Sequence, residues 1–281
     1  MEPNWVVVFD FDGTLIPKSY KSLYDVVDSN GGVTKHCRSM IIKMREKYLQ
    51  KAHAGKLSKD DMRDWLIKTI NLYVKSGLSL NKVEKILKRV KLRKGVAECF
   101  AFLKKKKIPF AIVSYGIRQF IEIAFKLNGL DGMADKIYAT ELIISPKKRT
   151  ITGHNPRVVL SGKSKNVFSR EFAGIYNVSP ENILGVGDSS GDAYLSDYKD
   201  NILGIADNQE EEEKLKKSMG EVVITKNFYE VISWLKRKMR EAENQESVNN
   251  ELDCADPNCG KEVRICRNCD NFMPRPPKIE N

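Results

Sequence analysis

The chain has 281 residues, 41% of them apolar, enough to bury the core of one large domain or of two smaller ones. No apolar run approaches the roughly 18 residues that cross a bilayer, and Met1-Glu2-Pro3-Asn4 lacks the basic start of a signal peptide, so a cytoplasmic protein with no membrane partner is expected. The net charge of +11 points to anionic partners but excludes little, because a basic surface suits any phosphorylated substrate.

The first element is a strand over residues 5–12, where Trp5-Val6-Val7-Val8-Phe9 runs into Asp10-Phe11-Asp12-Gly13-Thr14. Both carboxylates reach one site if the strand opens into a turn, and Gly13 permits that turn. One carboxylate would then attack as a nucleophile while the other handles protons. Taken alone, Asp-x-Asp is equally an acidic turn at a strand end.

Residues 17–92 read as helices. Cys37, Met40, Ile41, Met44 and Tyr48 recur at helical spacing, as do Met62, Trp65, Leu66, Thr69 and Tyr73 after a Ser58-x-x-Asp61 capping box. Val83, Ile86, Leu87 and Val90 form a third stripe, completing an all-helical insertion. Cys37 and Cys99 fall on apolar helix positions and read as core thiols.

From Gly95 onward strands and helices alternate. A helix over 96–105 precedes the strand Ile108–Val113, which leads into Ser114-Tyr115-Gly116 and a helix over 117–128. Short strands and turns occupy 136–160, and a helix covers 165–177 with Phe168, Phe172 and Ile175 on one side. The strand 182–187 runs into Asp188-Ser-Ser-Gly-Asp192. A strand (201–205), a charged helix (208–218), a strand (221–225) and a helix (228–240) follow, the last with Phe228, Val231, Ile232 and Leu235 on one face. The polar residues 241–252 read as a linker to a Cys-rich segment, 253–281. Strands alternating with helices imply an α/β fold with a parallel sheet covered on both faces. Ligands of such sheets sit at the carboxyl ends of strands. Asp10, Ser114 and Asp188 each lie just past such an end, the pattern of one shared site.

These segments, in this order, resemble the haloacid-dehalogenase-like (HAD) phosphatase superfamily. Asp10-Phe-Asp12-Gly-Thr14, Ser114 at the close of an apolar strand, a lysine near the start of the helix 165–177, and Gly187-Asp188-Ser-Ser-Gly-Asp192 match its four motifs. The match covers about residues 5–225, and the insertion resembles the helical cap of the phosphoserine-phosphatase-like branch. The resemblance implies a Rossmann-like core built from residues 1–16 and 93–240 with a cap at 17–92. It further implies that Asp10 attacks phosphorus to form an aspartyl-phosphate and that Asp12 protonates the leaving alkoxide and then activates water. Magnesium would be held by Asp10, Asp188 and the main-chain carbonyl of Asp12, with Asp192 completing or orienting the shell. Asp192 reads alternatively as a carboxylate favoured at a helix N-terminus. Ser114 and the amide of Tyr115 would bind phosphoryl oxygens. Lys163 and Lys165 compete for the third motif, and the spacing to Asp188 favours Lys165.

Two departures stand out. Tyr115 occupies a place that is often small in relatives. Leu15-Ile-Pro17-Lys18 lacks the acidic residue that amino-acid phosphatases carry there, and Lys18 would favour a second anionic group or lie on the surface.

Cys254, Cys259, Cys266 and Cys269 form two close pairs that suit tetrahedral zinc, with reduced thiols or disulfides as the other readings. Lys261, Arg264 and Arg267 among them could touch nucleic acid or an acidic protein. The expectation is a magnesium-dependent phosphomonoester phosphatase acting on a small phosphorylated metabolite. Its rivals are a phosphatase of nucleic-acid ends or phosphoproteins recruited through the Cys-rich tail, and a binding protein on the same fold that has lost catalysis.

Overall fold

The computed structural model describes residues 3–53, 56, 58–155 and 162–253. The apolar run at the start forms β1, Val6–Phe9, buried along its whole length. Strands with no polar face are what the interior of a parallel sheet requires. β1 indeed lies inside a six-stranded parallel sheet with β2 (Phe110–Ile117), β3 (Lys136–Thr140), β6 (Ile183–Gly187), β7 (Ile202–Ala206) and β8 (Glu221–Ile224), in the order β3-β2-β1-β6-β7-β8. Val7 faces Phe110 of β2 in the ladder and Val6 faces Ile183 of β6. The ends of β1, β2 and β6 therefore open side by side.

Alternate side chains of β1 go to opposite faces of the sheet. Phe9 packs among Phe100, Phe110 and Phe228, with ring centroids 5.6, 6.1 and 5.9 Å away. Phe100 belongs to α5, Val96–Lys105. Val6 and Val8 join Ala111, Val113, Phe168 and Phe172 on the other face, under α7, Gly162–Ile175. The remaining crossovers of the α/β core use α6 (Arg118–Leu127) and α8 (Gln209–Lys216).

Between β1 and α5 lies the helical insertion: α1 (Leu23–Ser29), α2 (Lys35–His53), α3 (Lys59–Lys75) and α4 (Leu80–Leu87). Serines start three of them. Ser22 and Ser79 accept the N3 amide, and Ser58 forms the full capping box with Asp61. The insertion buries Cys37, Ile41, Leu66, Ile70, Tyr73 and Val83. The chain leaves and re-enters the core at one place, where the Arg93 amide donates to the Leu15 carbonyl at 2.8 Å.

The strand expected over residues 5–12 ends at Phe9; the structure differs from the sequence-based expectation at two further places and refines it at 136–160. The strand expected to end at Val113 runs on to Ile117 with a register shift, so Ser114 lies inside β2 rather than past it. Of the short strands in 136–160, β3 joins the main sheet, while β4 (Leu142–Ile144) and β5 (Ile151–His154) form a separate antiparallel pair. The polar residues expected as a linker continue α9, Tyr229–Asp253. Glu, Gln and Ala are good helix formers, so low apolar content there did not mean loss of the helix.

The described chain forms two compact units, one through Ser233 and one from Trp234 onward, and the insertion and the sheet share the first. No helix among the described residues is long and apolar enough to cross a membrane. Cys254, Cys259, Cys266 and Cys269 lie outside the described residues.

Candidate active site

β1 delivers Asp10 to the carboxyl edge of the sheet, where its amide donates to the Val186 carbonyl of β6 at 2.9 Å. The chain then turns at Gly13, with φ +82°. A Cβ there would stand 2.3 Å from Asp188 Oδ2, so the first-motif loop can approach Asp188 only through a glycine. Thr14, fully buried, donates to Asp188 Oδ1 at 3.1 Å.

Asp188 follows β6 and Asp192 lies in the short 3-10 turn Ser190–Tyr194. Asp192 engages both of its carboxylate oxygens. Its Oδ2 caps the turn, accepting from the amides of Asp188 and Ser189 at 3.0 and 2.8 Å and from the Ser189 hydroxyl at 2.7 Å. Its Oδ1 accepts from Lys165 Nζ at 2.5 Å. The same ammonium donates to Asp10 Oδ1 at 2.5 Å. Lys165 is buried, whereas Lys163 is exposed, so Lys165 is the lysine brought into the site. Its remaining side faces the Tyr115 ring, 4.4 Å from the centroid.

Burial opposes the Lys165 charge, but the carboxylates of Asp10 and Asp192 outweigh it and hold the ammonium well above the ordinary lysine range. Burial pushes the Asp10 carboxyl up; Lys165 only partly offsets this, and Asp192 and Asp188 reinforce it. Burial and the Asp192 charge likewise raise Asp188 to about 6. One oxygen each from Asp10, Asp188 and Asp192 lie within 4.8 Å of one another. Three crowded carboxyl groups against one buried ammonium, all offering oxygen, fit a hard divalent cation such as magnesium.

Asp12 is half-buried and its Oδ1 accepts the Leu23 amide at 2.9 Å, at the start of α1. Burial raises its carboxyl to about 7, against the pull of that hydrogen bond. Ser114, buried, accepts the Gly116 amide at 3.0 Å. A Cβ on Gly116 would stand 3.2 Å from Ser114 Oγ and 3.4 Å from Asp12 Oδ2, so the strip Ser114-Tyr115-Gly116 borders the Asp12 carboxylate.

Lys18 does not stand free for a second anionic group. It pairs with Glu211 at 2.8 Å and with Asp188 Oδ2 at 3.3 Å. Arg93 was not singled out from the sequence. Buried at the mouth of the insertion, it donates to the Gly13 carbonyl at 2.8 Å, to Asp207 Oδ1 at 3.0 Å and to the Thr225 carbonyl at 3.1 Å. It sits in the run Lys91-Leu-Arg93-Lys94, where nothing in the sequence separates it from its solvated neighbours.

A family model described as haloacid dehalogenase-like hydrolase matches residues 7–196. A phosphoserine phosphatase of Methanocaldococcus jannaschii is 28% identical over 201 residues, covering 72% of this chain and 84% of that protein. One from Archaeoglobus fulgidus is 25% identical, covering 73% of this chain but 53% of its own length, so the chain spans about half of that relative. Among solved structures, cytosolic 5′-nucleotidase IIIB bound to cytidine superposes with a TM-score of 0.66 at 17% identity, covering 84% of this chain and 87% of that one, a likeness of fold. The chain belongs to the haloacid dehalogenase-like hydrolases, on the branch that holds the phosphoserine phosphatases.

Proposed function

We propose that the chain is a magnesium-dependent phosphomonoester phosphatase of small phosphorylated metabolites in the cytoplasm, acting through an aspartyl-phosphate on Asp10. The observation that carries this reading is the Asp10 carboxylate at the end of the central strand, tied by Lys165 to Asp192 and close to Asp188. Asp10 and Asp188 would hold the ion, which when bound supplies positive charge to the phosphoryl oxygens. Asp192 would complete or orient that shell while it holds Lys165 and the Asp188 loop in place.

Asp10 attacks phosphorus as the ester P–O bond breaks. Ser114 Oγ and the Tyr115 amide receive the phosphoryl oxygens, and the Lys165 charge offsets their negative charge. Asp12, with a carboxyl at about 7, is poised near neutrality to give its proton to the departing alkoxide. As a carboxylate it then takes a proton from the water that hydrolyses the acyl-phosphate and returns Asp10. Splitting the displacement into two steps avoids one difficult one. The insertion starts within hydrogen-bond reach of Asp12, placing it where it can exclude bulk water in the first step.

Phosphate release from phosphoserine, sugar phosphates, nucleotides and 3′-phosphorylated oligonucleotides, with and without magnesium, tests the reading. Release should require magnesium and should fall to background in Asp10→Asn. Activity retained in that variant, or no release from any ester, would reject it.

A further inference from the structure

The net charge of +11 is not spread over the chain. Residues 17–92 hold 18 of the Lys and Arg residues and 7 of the Asp and Glu, so the helical insertion alone carries the whole excess and the rest is neutral. Five of the insertion's seven acids are also occupied. Asp25 and Asp28 bind Arg45, Asp61 binds Lys51, Asp64 binds Lys68, and Glu84 faces Lys126. Lys35, Lys43 and Lys75 are exposed and make no ion pair among the described residues.

These cations surround apolar surface. Along one side of α2 runs a groove of about 530 Å³, walled by Met40, Met44 and Leu72 and rimmed by Lys43, Lys68 and Lys75. Along the other side lies one of about 510 Å³ onto which Lys35, Arg38, Ile42 and Lys43 open, with Glu46 as its one acid. Met40 and Ile42 are each 43% exposed between the lysines.

We propose that the outer face of α2 and its two flanking grooves form a peripheral docking surface for a bilayer rich in acidic phospholipid. Lysines among exposed aliphatic side chains suit anionic headgroups over an acyl boundary. Nucleic acid fits less well. Single strands are held by stacking on aromatic rings, and the large apolar side chains exposed on the insertion, among the described residues, are Met40 and Ile42. Arginine, whose fork grips phosphate, supplies only 4 of the 18 cations. Of these, Arg45 is bound to Asp25 and Asp28, and Arg89 to Asn30. The surface acts whether or not Asp10 is catalytic.

Co-sedimentation of the full chain with vesicles tests this, comparing phosphatidylcholine alone with a mixture containing about one-third phosphatidylserine. Binding should require phosphatidylserine and weaken with salt. The reversal Lys35→Glu/Lys43→Glu/Lys75→Glu should reduce it about tenfold or more. Met40→Ser/Ile42→Ser should remove the part that survives high salt. Both variants should keep wild-type circular dichroism and hydrolysis of soluble esters. Three results would each overturn the proposal. One is no binding to phosphatidylserine vesicles, another is equal binding by the reversal variant. The third is tighter binding of a single-stranded oligonucleotide, at matched charge, that depends on the same lysines.

Discussion

At Lys165 the balance of forces is unusually legible. Two of its three N–H groups go to Asp10 and Asp192, and the Tyr115 ring covers the side left over. The ring fits because its neighbour Gly191 has no side chain; a Cβ there would stand 2.9 Å from the Tyr115 hydroxyl. A cation over an aromatic face in a partly desolvated place is worth about 1–2 kcal/mol. Tyr115→Ala should therefore admit water beside Lys165 and lower kcat about tenfold. Tyr115→Phe should restore most of it, because the face of the ring does the work. Steady-state kinetics on both variants decide this, and a Phe variant as impaired as the Ala variant would remove the argument. The sequence carried Asp10, Asp12, Asp188 and the choice of Lys165, since motif order and spacing place them. It marked Tyr115 as standing where relatives are often small but could not say what the ring packs against. It was silent on the partners of Lys18 and Arg93, because Glu211, Asp207 and Thr225 lie more than a hundred residues away and any solvated cation looks the same.

Among the elements, those with strong periodicity were foreseen well: α5 falls on the expected residues 96–105, and β6 and β7 lie within a residue of their expected bounds, while β1 ends at Phe9, three residues short of the expected 5–12. The misplacements occur where side-chain pattern and backbone geometry diverge, as in β2, which shifts register across Ser114, Tyr115 and Gly116 and resumes its ladder at Ile117. Arg93 shows what such patterns cannot reveal, a connection among elements. It draws together the loop after β1, the end of β7 and the end of β8, beside the Leu15–Arg93 backbone bond where the insertion begins and ends. Arg93→Met would strand two buried carbonyls and the Asp207 carboxylate. At about 1–3 kcal/mol for an unmet buried acceptor, the loss should be about 3 kcal/mol. Because Gly13 is one of those acceptors, the loop bearing Asp12 should loosen and kcat should fall too. Urea unfolding and phosphate release on the same preparation test this. An Arg93→Met protein as stable and as active as wild type would show that water replaces the guanidinium without cost.

Across the whole molecule, the insertion and the sheet belong to one compact unit, and a buried acid in the insertion tests whether they also unfold as one. Asp28 sits between α1, α2 and α3, 4% exposed, accepting from the Tyr73 hydroxyl at 2.9 Å and from Arg45 at 3.4 Å. Burial raises its carboxyl to about 6, with the Tyr73 hydrogen bond and the Arg45 charge pulling the other way. An unfolded aspartate titrates near 3.9. Between these values the folded chain keeps on Asp28 a proton that the unfolded chain has lost, so the stability that Asp28 contributes falls as pH rises from about 4 to 6 and then levels off. A shift of about two units corresponds to about 3 kcal/mol. Asp28→Asn, which keeps a neutral amide in place of the protonated acid, should flatten this part of the pH profile. If the unit is cooperative, amides of β1 and of α3 should lose exchange protection in parallel over that range in wild type, and by a smaller, equal amount at both places in the variant, where Asp12 and Asp188 still titrate. Loss confined to α3 would show instead that the insertion opens alone, a movement its two adjacent connections at Leu15 and Arg93 would permit while leaving the Asp10 site assembled.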